Sequence, residues 1–454
     1  MMRVWFFAVS VLIYFYVADS STFTTWESLS VGLFVFFILD FLNRLGKKMV
    51  IFDILIVLAI LTCLIMPIWG YHVYTKSDRL AHLWVKYMFI PSDEYFSFAF
   101  PAVVAMILGF RIPLARKSNV EKNPAIYMER MKEEVKKKPN VGMILIGVGL
   151  VSGIFTKFVP GGLTQFFLFL SRLIYVGVFY VMYSPHKQKS KIVIGVFCIM
   201  IGESLVVGMF GELIFTSVAS AILIMLGKKV PFYKKLTFAL VGFYFILLLQ
   251  SIKIEYRRAA WSGEGGGPVY FAQLIGERVA DPALLLEPKN SFLTYVRLNQ
   301  GWLVGTTIFF VPHRYPFANG ETIWESIAAA IVPRLFWPNK PEAGGRANLK
   351  RFWGYKLKGY SENIGPLGEA YGNFGVTGGI IYMFFFGLFF NFLLKKVLKK
   401  ADDIPTLILW VPFLFSGTLT VESDLLTVLG VIIKGLFFTW LIFKIFKAGF
   451  HIDL

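Results

Sequence analysis

Apolar runs long enough to cross a bilayer recur along most of this chain, and nothing else in it restricts the fold as strongly. A spanning helix needs about twenty largely apolar residues, somewhat fewer where neighbouring helices thin the bilayer. On that rule the first half holds spans at roughly 3–18, 28–44, 49–69, 95–110, 141–157 and 163–183. The second half holds them at roughly 191–208, 211–227, 235–252, 371–394, 404–420 and 424–445. The expected fold is therefore an all-α polytopic membrane protein of about twelve transmembrane helices. A chain that is 56% hydrophobic and 16% charged, with 48 Phe, does not stay in water as a soluble domain.

The net charge of +18 raises the question of nucleic acid. The cations, however, gather in short clusters between apolar runs, where they meet lipid headgroups and set orientation, so no nucleic-acid partner is expected. Those clusters are Arg44 to Lys48, Arg111 to Lys138, Lys187 to Lys191, Lys228 to Lys235, Lys395 to Lys400 and Lys444 to Lys447. With twelve spans all of them fall on one side together with both termini, and that side is expected to be the cytoplasm. The run after Arg3 reads as an uncleaved anchor, since its Trp and Tyr content and poor cleavage site do not suit a signal peptide. Cys63 and Cys198 lie inside apolar runs without metal or redox spacing, so neither a metal site nor a disulfide is expected.

Three regions follow: an N-terminal bundle of about nine helices over 1–250, a large extracytoplasmic segment over 251–370, and about three C-terminal helices over 371–454. Within the middle region Gly263 to Pro268 reads as a flexible turn, while Gly301 to Val311 and Glu321 to Val332 are apolar enough for short interfacial or re-entrant helices. The second carries Ile323, Ile327 and Ile331 at four-residue spacing and is stopped by Pro333.

The chemistry-bearing residues concentrate between Ile331 and Tyr382. Arg334, Lys340, Arg346, Lys350 and Arg351 are closely spaced cations, and arginine forks match phosphate oxygens. Trp337, Phe352 and Trp353 offer flat apolar faces for sugar rings or headgroups. Cations on the side where positive charge is normally scarce favour a function over a merely solvated loop. Glu203 and Glu212 lie in or beside apolar runs, and Glu422 and Asp424 form an outward turn that could face the same cavity.

The run PRLFWPNKP at Pro333 to Pro341, followed by GPLGEAYGNFGVTGG at Gly365 to Gly379, resembles the signature region of Wzy-type oligosaccharide repeat-unit polymerases of O-antigen and exopolysaccharide assembly. The late large loop with few spans after it is similar to that family's plan. The resemblance implies a glycosyltransferase-C-like, metal-independent and cofactor-free enzyme of the bacterial inner membrane. It would join undecaprenyl-diphosphate-linked oligosaccharides, as donor and acceptor, into a surface polysaccharide, with a flippase and a chain-length regulator as partners. Such chemistry needs cations on the leaving diphosphate and a base for the acceptor hydroxyl.

On that basis Arg334, Lys340 and Arg346 are expected to hold the diphosphate, with Arg297 from a second segment and with Arg257 and Arg258 as further candidates. Replacing Arg334 by Ala is then expected to abolish polymer. Glu369 leads as base, followed by His313 and Glu362; pairing of Glu369 with an arginine is the structural alternative. Tyr371 and Asn373 are candidates for sugar contact or for seating the next helix. A ligase-like lipid-phosphate glycosyltransferase, a lipid-linked saccharide transporter and a scaffold of an export complex are the competing readings.

Overall fold

The computed structural model describes residues 2–452 apart from 115–116, 157, 160, 263–265, 335, 357–361 and 419–420, so Gly263 to Gly265 of the expected glycine turn and Leu335 lie outside the described residues. The described chain is helical throughout and contains no β-strand. The main helices are α1 (Met2–Ala18), α2 (Thr25–Arg44), α3 (Ile51–His72), α4 (Ser92–Arg111), α5 (Pro124–Lys136) and α6 (Val141–Phe155), with short helical turns at Arg79–Trp84 and Asn119–Lys122. Then come α7 (Phe166–Tyr183), α8 (Lys189–Val207), α9 (Gly211–Met225) and α10 (Phe232–Ser262). Four short ones follow, α11 (Pro268–Ala280), α12 (Pro288–Leu298), α13 (Gly301–Phe310) and α14 (Glu321–Ile331). The chain ends with α15 (Arg346–Trp353), α16 (Gly365–Lys400), α17 (Pro405–Leu414) and α18 (Leu425–Phe450).

Among the described residues, 8 helices are long and apolar enough to cross a membrane, or up to 9 if α5 and α6, bent by 75°, count as one broken span. The runs expected at 3–18, 141–157, 211–227 and 404–420 form the shorter helices α1, α6, α9 and α17. The 15 residues of α6 and of α9 rise only about 22 Å, less than the roughly 30 Å hydrocarbon core, so length alone does not make them spans.

Local sequence explains the helix ends. Thr24 and Glu27 form a reciprocal capping box at the start of α2, and Asp424 caps α18 by accepting the Thr427 N–H at 2.8 Å. Close helix crossings use glycine: a Cβ on Gly387 of α16 would stand 2.2 Å from the Met106 carbonyl oxygen of α4, and one on Gly109 would stand 2.3 Å from that of Phe384. Small residues at such a crossing let backbones touch, which is how helices gain contact energy in lipid.

Two polar knots fasten the ends of the bundle. At one end Asp40 and Asp53 are buried among Arg3, Arg44 and Arg111, with Arg44 to Asp53 at 2.7 Å and Arg111 to Asp53 at 2.8 Å. The basic clusters meet at this same end: the Gly227 N–H donates to the Gly46 carbonyl at 2.8 Å, and Tyr127 Oη donates to the Ala401 carbonyl at 2.9 Å. At the other end buried Glu27 accepts from Ser92 Oγ at 2.8 Å and lies 3.1 Å from His72 Nε2.

The middle region is more integrated than a separate loop. Helix α10 runs unbroken through position 250 to Ser262, and α16 begins at Gly365, before position 370. At Gly375, where φ is 65° and ψ −158°, α16 breaks, a conformation glycine adopts at little cost. Helix α13 is buried from Gly301 to Ile308 and is not merely interfacial. A π-helical turn at Leu61–Ile65 in α3 leaves carbonyls for its neighbours: the Gln300 N–H, just ahead of α13, donates to Thr62 O at 2.9 Å, and Tyr95 Oη of α4 donates to Cys63 O at 2.7 Å.

Candidate functional site

At the end of the bundle away from the basic clusters, a cleft of about 470 Å³ opens between α10, α12, α13 and the start of α18. Helix α10 supplies Lys253 and Arg257, one turn apart and therefore on one face. Helix α12 supplies Arg297, and Gln300 follows from its end. Glu362 and Asn363 come from the segment ahead of α16, and Glu422, Ser423 and Thr427 from the cap of α18. Trp84 and Trp302 supply aromatic wall.

Two ion pairs are built into this cleft. Arg297 Nη1 donates to Glu422 Oε2 at 2.6 Å, and Lys86 Nζ donates to Glu362 Oε1 at 2.7 Å. The Lys86 ammonium also sits 3.5 Å from the Trp302 ring centroid. Burial lowers the proton affinity of Lys86, and Glu362 opposes that shift. Arg257 Nε donates to Gly208 O at 2.7 Å, and its guanidinium lies over Trp261 at 5.3 Å, so the group is aimed without a carboxylate. Half-buried Lys253 likewise has no carboxylate at ion-pair distance among the described residues. Two cations thus remain without acidic partners beside two pairs, an arrangement suited to an anion with several oxygens.

Behind the wall a buried network holds the cap of α18 in place. Glu369 is fully buried; its Oε1 accepts from Thr322 Oγ1 at 3.1 Å and its Oε2 from the Leu425 N–H at 3.2 Å. Asn373 Nδ2 donates to Thr322 Oγ1 at 2.7 Å and to Glu369 O at 2.8 Å, while its Oδ1 accepts from the Gly320 N–H at 3.0 Å. Asp424 Oδ2 accepts from the Gly345 N–H at 2.9 Å. These bonds join α14, α16 and α18 and fix the loop at Gly344, which borders the cleft.

Of the residues singled out in the sequence, the fold brings Arg257, Arg297 and Glu362 into the cleft, together with Glu422. Glu369 and Asn373 stand behind it, and among the described residues the hydrogen bonds of Glu369 go to neutral donors and to no arginine. Tyr371 packs on Phe98 with ring centroids 5.1 Å apart. Arg334, Lys340 and Arg346 do not line the cleft. Arg334 is exposed and donates to the Pro338 carbonyl at 3.3 Å. Lys340 Nζ donates to Ala329 O and Val332 O, both at 2.8 Å, and so caps the end of α14. Arg346 faces Glu342 at 3.5 Å, Trp337 packs against the main core, and His313 and Arg258 are exposed outside the cleft.

Sequence reasoning misses Lys253, Lys86 and Gln300. Lys253 carries a usable signal, an ammonium at the edge of an apolar run. Lys86 and Gln300 carry none, since only packing of distant segments makes them neighbours.

A family model described as a domain of unknown function (DUF8712) matches residues 104–418. No curated protein and no solved structure matches the chain.

Proposed function

The chain belongs to the DUF8712 family of unknown function, and we propose that this member is a glycosyltransferase that polymerises lipid-diphosphate-linked oligosaccharide repeat units, like the Wzy-type enzymes its late motifs resemble. The observation that carries this reading is the convergence of Lys253, Arg257 and Arg297 with Glu362 and Glu422 in one cleft next to tryptophan faces. In this reading α1, α6, α9 and α17 complete about twelve crossings, the basic end faces the cytoplasm of a bacterial inner membrane with both termini, and the cleft opens on the opposite side.

Lys253, Arg257 and Arg297 hold the diphosphate of an undecaprenyl-type donor. An acceptor sugar hydroxyl attacks the anomeric carbon, the bond from that carbon to the diphosphate oxygen breaks, and the leaving diphosphate keeps the electron pair next to the cations. The hydroxyl proton passes to Glu362, the one of the three base candidates that borders the cleft. Trp84 and Trp302 give the sugar its stacking faces. Diphosphate binding thus moves from Arg334, Lys340 and Arg346, none of which lines the cleft, to the α10 and α12 cations.

Purified protein supplied with lipid-linked repeat units tests the proposal. A ladder of polymer lengths that disappears in Arg297→Ala supports it. Single transfer to a different acceptor reassigns the enzyme as a ligase, and no transfer with lipid translocation in vesicles assigns it as a transporter.

A further inference from the structure

A second depression, of about 620 Å³, lies away from the cleft. It is a groove between the end of α7, the start of α8, the face of α9 and the first turns of α10. Lys189 starts α8 at this groove, whereas Gly208, which ends the same helix, accepts the hydrogen bond from Arg257 at the cleft. The two sites therefore stand at opposite ends of a 19-residue helix, about 28 Å apart along its axis.

The wall is apolar and turned outward: Ile194, Ile224 and Phe238 line it and are exposed. On α9 the groove runs over Ser217, Ser220, Ala221 and Ile224, one helical stripe whose small members leave the depression open. Ser217 Oγ donates to its own helix at Leu213 O, but Ser220 is 7% exposed and its hydroxyl is unpartnered among the described residues. At the mouth stand Lys189 and Lys228. Neither has a carboxylate at ion-pair distance among the described residues, and nearby Glu129 is already paired with Lys132 at 2.6 Å. The start of α8 adds the positive end of its dipole to the same spot.

We propose that this groove holds one anionic phospholipid from the leaflet at the basic end of the bundle. Its phosphate sits between Lys189 and Lys228, one acyl chain follows the α9 stripe, and the Ser220 hydroxyl donates to an ester oxygen. The chemistry of the groove selects that occupant: the apolar part opens sideways to hydrocarbon, and the mouth carries two cations without acidic partners among the described residues. A transmembrane partner helix would satisfy the apolar wall but not the charged mouth. The site stands on its own and does not depend on the chemistry assigned to the cleft.

Native mass spectrometry of the full-length detergent-purified protein, titrated with phosphatidylglycerol and phosphatidylcholine of identical acyl chains, tests it. The expected result is a preference for phosphatidylglycerol of about 30-fold, the ratio that about 1 kcal/mol from each of two lysines gives. The preference disappears in Lys189→Glu/Lys228→Glu, two changes at solvated positions that leave the fold intact. Ala221→Trp, which fills the groove, lowers retention of both lipids. Equal binding of the two lipids by the unmodified protein, or a preference that survives the double charge reversal, overturns the inference.

Discussion

Replacing Lys253 by Met separates the chemistry of the cleft from its architecture better than any other change. Arg297 is tied to Glu422 and Arg257 to Gly208 O, so removing either also breaks a bond inside the protein. Lys253 makes no such pair among the described residues, and Met keeps most of its volume. If the ammonium contacts a diphosphate oxygen, the lost charge-assisted hydrogen bond is worth about 1.5–3 kcal/mol. At about 1.36 kcal/mol per factor of ten, kcat/KM for transfer falls roughly 10- to 150-fold. Thermal unfolding in detergent should hold its midpoint or rise slightly, because a half-buried ammonium without a counterion no longer has to be desolvated. The measurement is initial-rate transfer from a lipid-linked donor, with Lys253→Arg expected to retain most activity. Turnover of Lys253→Met within about twofold of the unmodified enzyme, at equal folded protein, would falsify the assignment of Lys253 to the phosphates.

Further outcomes follow from the same geometry. Glu362→Gln should lose transfer by roughly 10²- to 10⁴-fold, the usual worth of a positioned base, with donor binding by isothermal calorimetry preserved; a transfer rate near normal removes Glu362 from proton transfer. Asn373→Ala leaves the buried Gly320 N–H without its partner, at about 1–3 kcal/mol, and Thr322 with Glu369 alone, so detergent melting should drop by several degrees while any surviving folded protein keeps its KM. Gly387→Val drives a side chain into the α4 backbone and should cost about 1–3 kcal/mol or prevent accumulation in the membrane; normal yield and melting would mean that the helices can separate. Arg334→Ala, which removes an exposed group with one carbonyl contact, should change stability by no more than about 0.5 kcal/mol and leave purified turnover near normal, contrary to its expected place on the diphosphate. Cysteines placed at Ser423 and Lys228 should label from opposite sides of a sealed vesicle; labelling from one side contradicts the two-ended arrangement.

The primary structure alone decided that this chain is helical and lives in lipid, because hydrophobic run length is a local property that needs no partner to be read. It also marked one helix end, at Ile331 before Pro333. The density of Arg and Trp after Ile331 drew the candidate site toward Arg334 and Lys340, yet sequence proximity is a poor guide where a helix turns its neighbours outward. Only the tertiary structure could give Lys340 to the end of α14, bury Glu369 against the cap of α18, and join Lys86 to Glu362 across 276 positions. The cleft is a product of long-range packing: a π turn in α3 releases the carbonyl that seats Gln300, and α10 and α12 then aim their cations at a turn more than a hundred residues away. Charge type is written locally, but which charges share a cavity depends on how helices cross, and that is fixed by contacts between segments no periodicity connects.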